Sequence, residues 1–450
     1  MIRTFIPMGG ILVLVWGLFF TATTGSEHIS AVLVVIMGAI VFAFVGNAMV
    51  TDADKNWLPS MVMAGFTAKI VASWVRWWVL VDFYNGSGDA VGYHGRGIQY
   101  APLWRAFEVP ELRIGTEAME GIAGLAYFFY IPNFLGGFFL FASLAFVGQL
   151  FLYAAFRAAP IPRRHKFYAF VVFFVPTIVY WPSSIGKESV MLLGIGVAAY
   201  GVAKLLRDGS MGSLFPIAFG LILSGVIRPH VAGLVAVSAT VALLFAKGPG
   251  VAQFPARRLT LLVFVGGALT VLTFVAAANF GISLDSLDEL DGSVDEFVGT
   301  VEDNTTKGGS AVEGGFISSP LEFPEAALKV LFRPLPNEAH NPPALASSLE
   351  GALLLLVLVL KLPAIVRRGF SMRKDPYTLF AFVYTIGFII AFSAFNNLGL
   401  MARERSQVAP FFLLLVVVLG WGPPPEPEEE PEMILDTVDE LYTHQQPLGA

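Results

Sequence analysis

No cysteine occurs anywhere in the 450 residues, which excludes thiol nucleophiles, disulfide staples and thiolate metal sites. Charge is scarce as well. Asp, Glu, Lys and Arg together make up 14% of the chain, against roughly a quarter in soluble domains. No basic stripe of the kind a nucleic-acid partner needs is present. The formal charge of −6 comes largely from an acidic tail and one acidic loop. Walker motifs and paired glycine-rich nucleotide loops are missing, so a nucleotide-driven reaction is not expected. No His, Asp or Glu cluster has the spacing of a dedicated metal site, so a divalent metal is unsupported and none is assigned. No internal repeat is visible.

What the chain has instead is apolar length. Hydrophobic residues are 56% of the total, in runs separated by short polar loops. A ~30 Å hydrocarbon core needs about 20 apolar residues per helix. Stretches 5–22, 30–49, 60–82, 133–156, 167–182, 188–205, 213–227, 231–246, 259–279, 347–361, 376–395 and 407–421 qualify or come near. The expected fold class is therefore all-α: a polytopic membrane protein with about twelve transmembrane helices, occupying residues 1–421. The first run lacks a small-residue cleavage site and reads as a retained helix rather than a signal peptide. Stretch 116–131 is short, ends at Pro132, and reads as an interfacial or re-entrant helix.

Orientation follows from the positive-inside rule. Arg157, Arg163, Arg164 and Lys166, then Lys204 and Arg207, then Lys247, Arg257 and Arg258, then Lys361, Arg367, Arg368, Arg373 and Lys374 occupy alternate loops. Those loops read as cytoplasmic. Two long loops, 83–132 and 280–346, then fall outside, and the Pro- and Glu-rich tail 422–450 is expected to be disordered in the cytoplasm. The tail is the natural contact for envelope-assembly partners. The expected location is a cell membrane facing the cytoplasm, with the reactive residues on its external face.

Five polar segments share that external side. The first is Gly86-Ser87-Gly88-Asp89, followed by Tyr93 and His94. It reads either as a glycine turn or as a general base, Asp89, supported by Tyr93 or His94. In the second, Trp181-Pro182-Ser183-Ser184-Ile185-Gly186-Lys187-Glu188, a span ends and the next begins, with Ser183 or Ser184 as the expected helix cap. The others are Arg228-Pro229-His230, Arg333-Pro334-Leu335-Pro336 with His340, and Arg403-Glu404-Arg405 before the last helix. Each arginine alone is more often an interfacial anchor. Their coincidence on the side where few cations belong points to phosphate, which the planar guanidinium grips by paired hydrogen bonds. Within the third span, Lys69 and Arg76 lie seven residues apart on one helical face. Arg76 is close enough to the end to snorkel, whereas Lys69 sits at a depth where a cation is a functional candidate.

Cations beside one or two carboxylates at a membrane surface suit a lipid-linked phosphate substrate. The motifs around Asp89, Trp181–Glu188, Arg228–His230, Phe332–Pro336 and Arg403–Arg405 resemble bacterial membrane glycosyltransferases of the GT-C type. These are similar to the dolichyl-phosphate-mannose-protein mannosyltransferase superfamily and to related polysaccharide-polymerising membrane proteins. The resemblance implies a GT-C-like helical bundle, a polyprenyl-phosphate sugar donor, and a glycan, lipid or protein acceptor. It also implies that Asp89 is the acidic residue of the first long external loop. Two departures stand out: three spans precede that loop, and the usual acidic pair is reduced to Asp89, with Asp82 seven residues earlier. A polysaccharide polymerase or ligase acting on lipid diphosphates is the nearest alternative. A transporter or flippase, and a non-enzymatic scaffold, rank below it.

Overall fold

The computed structural model describes residues 29–129, 132–159, 164–246, 319–370 and 375–422, with Gly266 and Met372. The expected spans 5–22 and 259–279, the loop over 280–318 and the tail beyond Gly422 lie outside the described residues. Every described element is helical. In chain order they are α1 (Ile29–Ala48), α2 (Leu58–Trp78), α3 (Asp89–Arg105), α4 (Thr116–Ala126), α5 (Phe134–Ala158), α6 (His165–Phe174) and α7 (Pro176–Tyr180). Then follow α8 (Lys187–Asp208), α9 (Leu214–Gly225), α10 (Pro229–Phe245), α11 (Phe323–Phe332), α12 (Pro342–Gly369), α13 (Pro376–Phe392) and α14 (Leu398–Trp421). Among the described residues, six helices are long and apolar enough to cross a membrane: α1, α2 with its π-helical extension to Phe83, α5, α8, α12 and α14.

Local sequence explains where the helices start. Asn133, Asn341 and Asn397 each precede a long helix, and each side chain accepts from a backbone N–H of the first turn, those of Gly136, Ala344 and Leu400. Proline opens α7, α10, α12 and α13, where its missing N–H costs no hydrogen bond. The helices approach closely because glycines line the contacts. A Cβ on Gly148 of α5 would collide with the Leu192 carbonyl of α8, and one on Gly220 of α9 with the Gly194 carbonyl of α8. Helix α8 is thereby wedged between α5 and α9. In contrast, α12 turns Leu349, Leu353, Leu356 and Leu360 outward, and its span is almost wholly unburied in the bundle.

Three expectations change shape. Span 167–182 is two helices, because Pro176 keeps Val175 extended (ψ 123°) and breaks the hydrogen-bond ladder. Residues 89–105 are a helix and not a turn, so the long loop 83–132 is largely the α3–α4 hairpin. The last helix begins at Leu398, nine residues before the apolar run at 407, which brings Arg403, Glu404 and Arg405 inside it.

The five-residue helix α7 is secured at both ends. Glu350 of α12 accepts from the Thr177 N–H at 2.7 Å, at the end where a carboxylate complements the backbone dipole. Lys69 of α2 donates to the carbonyls of Ile178 and Val179, each at 3.1 Å. Arg76, two turns along α2, donates to the Trp181 carbonyl at 2.6 Å and lies over the Tyr180 and Trp181 rings.

Candidate functional site

The turn after α7 forms one wall of a cavity of ≈350 Å³. The end of α2, the start of α3 and the beginning of α14 form the others. Five of the anticipated residues line it: Arg76, Asp89, Tyr93, Glu188 and Arg403. They arrive from four separate helices, at one end of the bundle.

A chain of alternating charges runs from the interior into this cavity. Glu404 is held by both Nη atoms of Arg228. Arg228 also reaches Glu188, at 3.3 Å. Glu188 accepts from Nε of Arg403 at 2.7 Å, and Arg403 Nη1 donates to Asp89 at 2.9 Å. Exposure rises along the chain, from 2% at Glu404 and 1% at Glu188 to 58% at Asp89. The inner carboxylates are therefore fixed, while Asp89 is the end that solvent or a ligand reaches. Arg403, Glu404 and Arg405 are consecutive on α14, so their side chains leave about 100° apart. Arg403 faces the cavity and Glu404 meets Arg228. Arg405 is buried against α11 and α12, donating to the Leu331 carbonyl and the Ser347 hydroxyl.

The remaining anticipated residues surround this centre without lining it. Lys187 opens α8 and donates to Thr116 of α4 at 3.1 Å, tying the hairpin to the bundle. His94 meets the Tyr127 hydroxyl at 2.7 Å and packs on Phe134; burial lowers its pKa from the ordinary histidine value. Burial raises the Tyr93 phenol, and the neighbouring Asp89 carboxylate adds to the effect. His230 is half-buried and packs on Phe392. Lys69 is fully buried and faces the α7 carbonyls, so it is part of the scaffold behind Trp181. Ser183 does not cap α8: its hydroxyl turns back to the Val179 carbonyl, and Gly186 takes the cap position.

Two further hollows share walls with the cavity. One, of ≈400 Å³, is lined by His340, Asn341, Pro334 and Glu338 and meets the first at Tyr84, Trp181 and Pro343. Arg333 stands behind it, paired with Glu338 through Nε at 2.8 Å. Burial would raise the Glu338 pKa, but the hydrogen bonds from Arg333 and the Leu335 N–H outweigh it and hold the group low. The other, of ≈440 Å³, is almost entirely apolar and runs between α2 and α12 past Trp78, Phe83, Tyr180, Trp181 and Pro343. Among the described residues, Glu350 is the one carboxylate that lines it.

Sequence reading gave no role to Glu404, Glu350 or the aromatic walls Tyr84, Tyr180 and Trp181, although Glu404 and Trp181 stand within its polar segments. Glu404 had a visible signal, an acid between two arginines in a chain otherwise short of charge. Glu350 had one too, as a lone carboxylate in the apolar run of α12. Among the described residues, no group of three or more His, Asp or Glu side chains is placed to hold a metal ion. No family model, curated protein or solved structure matches this chain.

Proposed function

We propose that the protein is a membrane glycosyltransferase that moves a sugar from a polyprenyl-phosphate donor to a cell-envelope glycan, lipid or protein acceptor. One observation carries the reading: an apolar groove beside the outward-facing α12 shares the Tyr180–Trp181 wall with a cavity holding Arg76, Arg403 and Asp89. A polyprenyl chain suits the groove, and its phosphate suits the arginines. In this scheme Asp89 takes the proton from the acceptor hydroxyl, and the acceptor oxygen bonds to the anomeric carbon. The carbon–oxygen bond to phosphate breaks as Arg403 and Arg76 receive the developing charge. The GT-C resemblance adds inversion at the anomeric carbon, about twelve spans in the full bundle and an external site in the bacterial cytoplasmic membrane.

A second reading, a polymerase or ligase using lipid diphosphates, is favoured by the Asp89–Arg403 ion pair, which already occupies the carboxylate that the transfer would need to face the acceptor hydroxyl. The two readings separate in proteoliposomes supplied with radiolabelled polyprenyl-phosphate sugars or with lipid-diphosphate oligosaccharides. Transfer from the monophosphate donor that is lost in both Asp89→Asn and Arg403→Gln supports the transferase. Activity only on diphosphates, lost in Arg403→Gln and kept in Asp89→Asn, supports the polymerase or ligase. If all these activities survive both substitutions, the site is not catalytic.

A further inference from the structure

The hollow of ≈400 Å³ beside the charged cavity has no part in the donor scheme above. Its walls are helix ends. Tyr84 follows the α2 extension, residues 334–341 lead into α12, and Leu398 opens α14. It shares Tyr84, Trp181, Pro343 and Gly399 with the charged cavity. Ala402 and Arg403, neighbours on α14, line one hollow each. An occupant of the second hollow therefore abuts the chamber that contains Asp89.

The lining differs from that of both neighbouring hollows. No Lys or Arg is among the described residues that form it, in contrast to the cavity suited to phosphate. Polar, exposed side chains take their place: Asn337, His340 and Asn341. Carboxamides and a neutral imidazole each donate and accept hydrogen bonds, as a hydroxyl does. Asn341 accepts from the Ala344 N–H at 2.8 Å through Oδ1, which fixes its carboxamide with the NH2 group as donor. Glu338 is paired with Arg333 and accepts from the Leu335 N–H at 2.7 Å, so the turn carrying these groups is pinned. The aromatic part of the wall is held as well. Arg76 donates to the Trp181 carbonyl at 2.6 Å, and its guanidinium lies 5.0 Å from the centre of the indole. Tyr84 meets Phe83 edge-on at 5.0 Å.

A sugar ring answers both kinds of wall at once. Its C–H faces lie against aromatic rings, and its rim of hydroxyls pairs with groups that both donate and accept. We propose that this hollow seats the terminal sugar of a glycan acceptor, an assignment that rests on the transferase reading and makes the acceptor class carbohydrate. The volume is in the range of small-ligand sites, enough for the end of an oligosaccharide. The acceptor hydroxyl enters the charged cavity beside Trp181 and gives its proton to Asp89. Its oxygen bonds to the anomeric carbon as the carbon–oxygen bond to phosphate breaks, and polyprenyl phosphate leaves.

The test uses the full-length protein in nanodiscs, without donor, so that binding is read apart from catalysis. The probe is a mixture of oligosaccharides released by mild acid from cell-envelope glycans, observed by saturation-transfer NMR. The wild type is expected to saturate their ring protons. The double variant Asn337→Ala/His340→Ala, two exposed side chains, weakens binding about thirtyfold, at about fivefold for each hydrogen bond lost. Glu325→Gln, an exposed position on α11 outside the lining, leaves it unchanged. The proposal is overturned if the wild type gives no signal, if the double variant binds like the wild type, or if the control loses as much. A Ser/Thr-rich peptide that saturates in place of the oligosaccharides, with the same sensitivity to the double variant, overturns the carbohydrate class in favour of a protein acceptor. In proteoliposomes with radiolabelled donor, the double variant raises the KM for acceptor and leaves that for donor unchanged; an equal rise in both overturns a separate acceptor seat. Oligosaccharide binding that depends on Asn337 and His340, with no transfer by the wild type, supports the sugar site and refutes the transferase reading alone.

Discussion

Arg403 bridges two carboxylates of very different burial, and that contrast sets a measurable difference in coupling. Glu188 is 1% exposed and shared between Arg403 and Arg228; Asp89 is 58% exposed. Removing one partner of a buried ion pair costs about 3–5 kcal/mol, because the other charge is left desolvated. Glu188→Gln falls near the lower end of that range, about 3 kcal/mol, because Arg228 keeps Glu404 and Arg403 keeps Asp89. Asp89→Asn costs no more than about 1 kcal/mol, as for other solvent-screened pairs. Double-mutant cycles with Arg403→Gln isolate the pairwise terms. Unfolding in mixed micelles is expected to give a Glu188–Arg403 coupling of about 2 kcal/mol or more and an Asp89–Arg403 coupling below about 1 kcal/mol. Added salt shrinks only the second. Equal couplings, or a salt-sensitive Glu188 term, would refute a charge chain that is fixed inside and exchangeable at its outer end.

Four further outcomes follow from packing and protonation. Gly148→Val drives a side chain into the α8 backbone and is expected to cost about 3 kcal/mol or more, lowering the yield of monodisperse protein. Gly92→Ala, where a Cβ meets open space on α3, is neutral or stabilising by up to about 1 kcal/mol in the same assay. Lys69→Met removes the side-chain donor of the Ile178 carbonyl, at about 1–3 kcal/mol, while Val179 keeps the Ser183 hydroxyl, and shows up as lower thermal stability with faster hydrogen exchange at 178–181. His94 has its pKa lowered by burial, so on acidification the unfolded chain takes up the proton first. Its contribution to stability is present near neutral pH and is lost as pH falls below about 6.5. A pH series of melting midpoints, in which His94→Gln lacks this loss, checks the assignment.

Much of the helical framework was legible because long apolar runs are local signals, whereas the capping asparagines that open three of the helices went unread. The cavity was legible in part: Asp89, Glu188 and Arg403 were singled out as charges too costly to be idle, and the fold brings them to one ion-pair chain. What escaped depended on partners distant in sequence. The start of α14 was hidden because three successive charges depress local hydropathy, and the charged partners of Arg403 and Glu404, namely Glu188, Arg228 and Asp89, lie more than 170 residues earlier. Lys69 looked like a site residue because its depth was readable, whereas the broken helix whose carbonyls it satisfies was not. Pro176 did announce that break, but the apolar run continued across it.

The double tether of α7 has a mechanical consequence. A five-residue segment gripped at one pole by Glu350 and at the other by Lys69 moves as a rigid peg between α12 and α2. Trp181 is mounted at the end of that peg and belongs to all three adjoining hollows. A sideways displacement of the outward-facing α12 is thus geared directly to the indole, so whatever wedges into the groove also resizes the charged chamber next door.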